Sequence, residues 1–226
     1  MLKAISSMAT RQVLGELAAA HQGRAGQPIA IESVGGVDAA RRVQEGEAFD
    51  AVFLASDAID KLIASGRIAQ GSKVDLFLSP VVVAVRKGAA LPDIGSEVAL
   101  RRAVLAAESI GYSTGPSGVA LTKLFERWGI GGDIAGRIVQ APPGVPVGSL
   151  VADGKCALGF QQLSELMNLE GIAIVGSLPE AVQIVTTFSA GICAASSQVE
   201  AAQRMLDFMA SPEATEAKRR NGMEPA

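Results

Sequence analysis

Histidine and cysteine are scarce in this chain, which limits the metal and nucleophilic chemistry it can perform. Its 226 residues include one histidine, His21, and two cysteines, Cys156 and Cys193. One imidazole cannot supply a histidine-based metal site or a catalytic triad, so we expect no metal and no cofactor. Both cysteines lie in apolar surroundings, which predicts buried free thiols, with a disulfide between them as the alternative. His21 ends a helical pattern and is predicted to be solvated.

Aromatic side chains and positive charge are also in short supply. Aromatic residues make up 4% of the chain, and the formal net charge is −3 at pH 7. So few rings exclude a stacking platform for bases, and the lack of a basic field excludes nucleic acid as a partner. No apolar run is long enough to cross a bilayer, so we expect no membrane insertion. A small anion can still bind through local N–H dipoles.

Short β-like runs alternate with helical patterns along most of the sequence, and 49% of the residues are hydrophobic. This order predicts an α/β protein with mainly parallel, mixed sheets flanked by helices. One long apolar run, Asp75 to Arg86, is interrupted by Pro80, which indicates an edge, a bend or a passage between two sheets. We therefore predict two lobes joined by two hinges. Lobe 1 comprises residues 1–78 and 190–226, lobe 2 comprises 79–189, and the hinges lie near 75–86 and 181–192.

Several local boundaries are predicted from caps and periodicity. The predictions are a Ser56-Asp57 cap on a helix over 58–65, a helix that Gln161 and Gln162 open over 161–167, and two β-like runs at 181–187 and 190–195.

Small hydroxyl residues and glycines gather where three predicted strands are followed by helices. A helix N-terminus binds anions because its first N–H groups are unpaired and carry partial positive charge. Three such junctions predict a cleft for a small anion at the carboxyl ends of the strands, although each alone fits an ordinary cap or turn. The two glycines of the third junction are expected to let backbone N–H groups approach the ligand. The candidate residues are Ser6, Ser7, Ser33, Gly35, Ser113, Thr114, Gly115, Ser117 and Gly118.

Three further positions are candidates for ligand contacts. Arg86 ends the long strand and is suited to pair with a ligand carboxylate, with a solvated charge as the alternative. Gln161 has an amide that can hydrogen-bond a ligand, and the N–H groups near Val147 follow a rigid proline turn. No motif in the sequence identifies a catalytic base. Glu32, Asp57 and a serine are the candidates, and helix capping is the alternative for Asp57.

At these residues the chain resembles the periplasmic binding proteins of the molybdate-binding type, which have the type II solute-binding fold. The resemblance lies in the pair Ser6-Ser7, in Ser33-Val34-Gly35-Gly36, in Arg42 to Gly46, and in the strand from Phe49 to Ser56. It implies two lobes that close by hinge motion over an anion held by serine hydroxyls and backbone N–H groups, without a metal cofactor. Ser6 or Ser7 and Ser33 match the first-lobe serines. The second-lobe contacts fall on Ser113 to Gly118, Val147 and Gln161.

The resemblance leaves three functions open. The favoured one is a solute-binding protein of ABC-transporter type, which binds a molybdate-like oxyanion or a small organic carboxylate in an inter-lobe cleft and delivers it to a membrane permease. Some relatives of this fold look like isomerases of unsaturated polycarboxylates such as aconitate, and a cytoplasmic anion sensor is the third possibility. Phe160-Gln161 stands where the family commonly has a tyrosine, which suits an organic carboxylate. Because Leu2 begins the first strand without a secretory signal, we expect a cytoplasmic protein, or a periplasmic one if a signal was removed.

Overall fold

The computed structural model describes all residues from Met1 to Ala226. Its strands are β1 (Leu2–Ser7), β2 (Ile29–Val34), β3 (Ala51–Ala55), β4 (Val74–Arg86), β5 (Ile110–Ser113), β6 (Ile138–Ala141), β7 (Leu158–Gln162), β8 (Ile172–Ser177), β9 (Val185–Ile192) and β10 (Glu224–Pro225). Its helices are α1 (Arg11–Ala25), α2 (Gly36–Gln44), α3 (Ser56–Ala64), α4 (Glu97–Ala106), α5 (Pro116–Arg127), α6 (Gly131–Ile134), α7 (Val147–Ala152), α8 (Leu163–Leu166), α9 (Val199–Ala210) and α10 (Thr215–Arg220). None of these helices is both long and apolar enough to cross a bilayer.

The chain divides into two compact units. Unit 1 comprises Met1–Ser79 and Thr187–Ala226, and unit 2 comprises Pro80–Thr186. The long strand β4 continues from unit 1 into unit 2 at Pro80, and β9 returns to unit 1 at Thr187. Of the three interpretations of Pro80, the passage from one sheet to another is therefore the one observed. That β4 and β9 act as hinges stays a prediction.

In unit 1, β1 pairs in parallel with both β2 and β3, and β3 pairs antiparallel with β9. The side chains of β3 alternate between two apolar clusters because successive residues of a strand point to opposite faces. Phe53 packs with Leu14, while Leu54 packs with Ile59 on the other face. Both faces of this sheet are thus covered by helices, as expected for an α/β layer structure.

Unit 2 repeats this mixed arrangement with its own core. Strand β5 pairs in parallel with β6 and β7, and β4 pairs antiparallel with β7 and β8. Val81 and Val83 of β4 pack with Phe160 and Phe125 on one face, whereas Val82 lies in a separate cluster on the other. The chain is therefore an α/β protein with a mixed sheet in each unit, as the sequence predicts.

Three local predictions are wrong. Ser56 is the first residue of α3 and not its cap, because Ala55 at the end of β3 already has the extended backbone of an N-cap. Gln161 and Gln162 belong to β7, since pairing with Val82 and Val81 of β4 extends the strand to its last two residues. The runs predicted at 181–187 and 190–195 are replaced by the single strand β9, which pairs with β3 over five residues from Phe188 to Ile192.

The environment predicted for His21 is also wrong. Helix α1 continues to Ala25, so His21 lies inside the helix, 5% exposed, with its ring 5.5 Å from that of Phe208. Burial lowers the pKa of this imidazole. Cys156 and Cys193 are buried free thiols, as predicted.

Helix α5 approaches β5 so closely that only glycine fits at Gly118. A Cβ at this position would lie 1.8 Å from the carbonyl oxygen of Ser113. Gly118 is therefore needed for packing within unit 2. The sequence instead predicts that this glycine lets backbone N–H groups approach a ligand. The close packing places the first turn of α5 directly against the end of β5.

We predict that Gly118→Ala lowers the free energy of unfolding by about 3 kcal/mol or more, because backbone must move to relieve the clash. Gly15→Ala is the matched control, since Gly15 is also helical and an added Cβ there would have no neighbouring atom within 4 Å. It should raise stability by about 0.5–1 kcal/mol. Urea unfolding followed by circular dichroism measures both, and similar effects of the two substitutions would contradict the close approach.

Candidate functional site

The carboxyl ends of the parallel strands in unit 1 bring three predicted serines together. Ser6 and Ser33 are direct partners in the β1–β2 register, and their hydroxyl oxygens lie 2.8 Å apart in a hydrogen bond. Ser7 follows Ser6 at the end of β1, and Gly35 is the N-cap of α2. All four residues therefore lie at one edge of the unit 1 sheet, where helix N-termini also begin. Their role in ligand binding stays a prediction.

Ser7 has a buried hydroxyl group without a hydrogen-bond partner. The residue is 7% exposed, and its Oγ makes no hydrogen bond, although its backbone oxygen accepts one from the Thr10 hydroxyl at 3.1 Å. The first residue of α2 is adjacent, because a Cβ on Gly36 would lie 3.6 Å from the Ser7 Cβ. A buried hydroxyl left unpaired costs about 1–3 kcal/mol. Such a group beside a nine-residue helix N-terminus is suited to donate to an anion.

In unit 2 the end of β5 and the first turn of α5 form a second hydroxyl-rich group. The Ser113 Oγ lies 3.4 Å from the Ser117 Oγ and accepts a hydrogen bond from the Gly115 N–H at 3.3 Å. Ser117 is 2% exposed, whereas Thr114 is exposed. Gly115 is the N-cap of the twelve-residue helix α5 and contributes no side chain to capping. The predicted loop therefore lies at a helix N-terminus, as an anion-binding loop requires.

Gln161 joins the start of α7 to α8. Its Oε1 accepts a hydrogen bond from the Val147 N–H at 2.8 Å, and its Nε2 donates to Glu165 Oε1 at 2.8 Å. The helix α7 can lie this close because Gly159, two residues before Gln161, has no side chain: a Cβ there would lie 2.5 Å from Val151 Cγ2. Both Val147 N–H and the Gln161 amide, predicted as ligand contacts, are thus engaged within the protein.

Glu165 is a functional candidate that sequence reasoning missed. Its side chain is only partly exposed, and burial raises the pKa of its carboxyl group to about 7, while the hydrogen bond from Gln161 acts in the opposite direction. Glu165 takes part in none of the ion pairs of the structure, whose members are mostly exposed. A carboxyl group that titrates near neutral pH is suited to accept and return protons. The one available signal was its spacing of four residues from Gln161, which the helix predicted over 161–167 would place on one face.

Three polar residues predicted for the site lie apart from these groups or are engaged elsewhere. Arg86 lies beside the turn before β7, since a Cβ on Gly154 would be 3.5 Å from the Arg86 Nη1. That turn precedes the first residue of β7, whereas Gln162 is its last residue, so Arg86 and Gln162 lie at opposite ends of the strand. Glu32 accepts hydrogen bonds from Arg42 at 2.6 and 2.9 Å, and this pairing lowers the pKa of Glu32. Asp57 is exposed and pairs with Lys61. No cluster of His, Cys, Asp or Glu side chains is placed to hold a metal ion.

Solved structures with this architecture identify the fold class. The periplasmic molybdate-binding protein of Azotobacter vinelandii superposes with a TM-score of 0.81 at 21% identity, over 99% of this chain and 98% of that chain. The substrate-binding domain of a putative molybdenum ABC transporter from Clostridium difficile gives a TM-score of 0.77 at 14% identity, over 100% and 98% of the two chains. The fold is therefore that of the type II periplasmic binding proteins.

Sequence comparison then gives the family. The model of the bacterial extracellular solute-binding proteins matches residues 2–224, and the chain belongs to this family. An aconitate isomerase from a Pseudomonas species is 36% identical over 230 residues, which cover 99% of this chain and 87% of that protein. The predicted family resemblance is confirmed, and the proteins similar to this chain include both binding proteins and an enzyme.

The raised pKa of Glu165 predicts a pH-dependent cost to stability. Its folded pKa of about 7 exceeds the ordinary 4.5, so between these values the unfolded chain releases its proton first and folding becomes less favourable as pH rises. Glu165→Gln removes this effect. The difference in free energy of unfolding between this variant and wild type should increase by on the order of 1 kcal/mol from pH 4.5 to pH 7. This value is smaller than the full shift in pKa implies, because Glu165 is partly exposed to solvent.

Urea unfolding at pH 4, 5, 6, 7 and 8 measures this difference. The matched control is Glu170→Gln, which changes an exposed glutamate just beyond α8. Equal pH profiles for the two variants would contradict the assigned environment of Glu165.

Proposed function

We propose that the protein binds a small polycarboxylate and isomerises it by moving a carbon–carbon double bond, with an unsaturated tricarboxylate of the aconitate type as substrate. The observation that carries the binding part is the unpaired, buried Ser7 hydroxyl beside the N-terminus of α2. The substrate class is supported by the similarity to an aconitate isomerase across 99% of this chain. The buried Ser7 hydroxyl and the sequence similarity are independent observations.

Carboxylate groups need hydrogen-bond donors, and each unit has a set of its own. Unit 1 provides the Ser7 hydroxyl and the N–H groups at the start of α2. Unit 2 provides the hydroxyls of Ser113 and Ser117 and the start of α5. Hydrogen bonds to a charged group are worth about 1.5–3 kcal/mol each, so a few of them give a useful affinity without a metal or a basic surface.

The chemistry of such an isomerisation is a proton transfer within an allylic system. A proton leaves the methylene carbon, the electron pair spreads over the allylic carbons and their carboxylates, and a proton returns to the far end of the system. Atoms and electrons are conserved, so no oxidant or reductant is consumed. The protein must supply a base and must place hydrogen-bond donors near the carboxylates on which charge develops.

A second candidate function is binding without chemistry, followed by delivery of a molybdate-like oxyanion or an organic carboxylate to a membrane permease. The match to the extracellular solute-binding family over residues 2–224 supports this candidate. Hydroxyl and N–H donors without a fixed positive charge suit an oxyanion as well as a carboxylate. Delivery to a permease requires that the protein be exported to the periplasm.

We predict that the purified protein converts cis-aconitate into the trans isomer, which proton NMR follows directly. A thermal-shift panel separates binding from turnover, because a ligand at 100 times its Kd stabilises the native state by about 2.7 kcal/mol. Aconitate isomers and the saturated analogue tricarballylate should raise the melting temperature. Stabilisation by these compounds without conversion would contradict the enzyme and favour the second candidate, and stabilisation by molybdate alone would identify an oxyanion-binding protein.

We further predict opposite effects of Ser7→Ala on stability and on binding. Without ligand the substitution removes a buried unpaired hydroxyl, so the melting temperature should stay equal or rise. With ligand it removes one donor, so the affinity for trans-aconitate should fall by about tenfold. Isothermal titration calorimetry and thermal unfolding measure the two effects.

The control is Thr10→Val, which removes a buried hydroxyl that already has a partner in the Ser7 carbonyl. This variant should lose stability and keep its affinity. A loss of stability in Ser7→Ala with unchanged affinity would show that the Ser7 hydroxyl has only a structural role.

A further inference from the structure

The orientation of the Gln161 side-chain amide is fixed by its two hydrogen-bond partners. The Val147 N–H can only donate, so the amide must present its oxygen to this group, 2.8 Å away. The amide nitrogen is therefore directed to Glu165 Oε1, also at 2.8 Å. Because the Gln161 nitrogen can only donate, Glu165 Oε1 must accept in both protonation states. A proton bound to Glu165 is accordingly carried by Oε2.

Glu165 lies at the same sheet edge as the hydroxyl group of unit 2. Tyr112 of β5 pairs with Phe160 of β7, so Ser113 and Gln161 are the next residues on two adjacent strands. Adjacent strands are about 4.8 Å apart. An anion bound at Ser113 would therefore lie beside the end of β7, where Gln161 holds the Glu165 carboxyl group.

We propose that Glu165 is the base that moves the proton in the isomerisation, and that Gln161 is the residue that positions its carboxylate. This inference rests on the proposed function, and it goes further by assigning the proton transfer to one side chain. The free Glu165 Oε2 takes the proton, while Oε1 stays bound to Gln161 Nε2. The pKa of about 7 supports the assignment, because a base works best when its pKa lies near the operating pH.

The step is balanced with Glu165 alone. Its ionised carboxylate removes a proton from the substrate methylene group, which breaks a C–H bond and forms the O–H bond at Oε2. The electron pair of the C–H bond enters the allylic system and is shared with the substrate carboxylates. The Oε2 proton then returns to the carbon at the other end, where the new C–H bond forms and the double bond has moved. Glu165 is ionised again at the end of the cycle.

Other carboxyl groups in unit 2 are less suited to this role. Glu97 accepts hydrogen bonds from Trp128 Nε1 at 2.6 Å and from Arg127, and these partners lower the pKa of Glu97. Asp93 and Asp153 are exposed and pair with Arg102 and Lys155. The Glu97 carboxylate, held by Arg127 and Trp128, is therefore a weak base, whereas Glu165 has only an amide donor.

The test uses Glu165→Gln in the full-length protein with cis- and trans-aconitate. The variant keeps the size of the side chain and its acceptor for Gln161, but it cannot take up a proton. We expect kcat to fall at least 100-fold, in the usual range for loss of a general base, while trans-aconitate still raises the melting temperature. Glu170→Gln, which alters an exposed glutamate five positions further on, should keep both binding and turnover.

The outcomes distinguish the role of Glu165 as the base from the proposed isomerase activity of the protein. Turnover by Glu165→Gln at the wild-type rate would overturn the assignment of the base and leave the proposed function intact. Absence of turnover in the wild-type protein would instead overturn the proposed isomerase, together with the inference that rests on it. Loss of turnover with retained binding in Glu165→Gln alone supports both.

A second variant, at Gln161, tests the positioning role of that residue. It also tests the proposal if Glu165→Gln fails to fold. Gln161→Glu keeps an oxygen for the Val147 N–H but replaces the donor to Glu165 by an acceptor. Loss of that donor and the added negative charge raise the pKa of Glu165, so the acidic limb of kcat/KM against pH should move to higher pH. An unmoved limb with full activity would overturn the positioning role of Gln161, and a purely structural loss would lower kcat at all pH values alike.

Discussion

Parallel pairing of β1 with β2 and β3, and of β5 with β6 and β7, is the constraint on which the rest of this structure depends. A parallel pair needs a crossover connection, and here the crossovers are helices. Each of these helices therefore starts at the carboxyl end of a strand, so its unpaired N–H groups lie at one edge of the sheet. Serines at the ends of β1, β2 and β5 add hydroxyl donors at the same edges. The anion binding that we propose for each unit thus depends on its topology together with a few small side chains.

Much of this arrangement could be predicted from the sequence because it depends on local patterns. The alternation of apolar runs indicated the parallel strands, and Pro80 marked the point at which β4 passes from unit 1 to unit 2. The pairing of Ser6 with Ser33 could be expected once both were placed at strand ends. What failed was local detail at β7, where Gln161 and Gln162 extend a strand because β4 pairs with them. That pairing is made across the sequence and leaves no local signal.

The candidate base could not be predicted for a related reason. Glu165 has no motif around it, and its character comes from burial and from one hydrogen bond with Gln161. That bond depends in turn on how closely α7 approaches Gly159, a packing distance that residue types alone do not reveal. Glu32 and Asp57 were candidates because they are carboxylates near strand ends. Arg42 lowers the pKa of Glu32, which makes it a poor base, and Asp57 is exposed beside Lys61.

The position of β9 in the chain has a consequence for synthesis on the ribosome. In the strand order β9 lies between β3 and β4, yet its residues Val185–Ile192 follow the whole of unit 2 in sequence. Unit 2 is one uninterrupted stretch, Pro80–Thr186, so it is fully translated before unit 1 can complete its sheet. The earliest-made strand edges, on β3 and on the first half of β4, must therefore wait unpaired while more than a hundred further residues emerge, roughly 5–20 seconds at common translation rates. The nascent chain carries an open sheet edge for that time, and an open edge is a site at which another chain can pair.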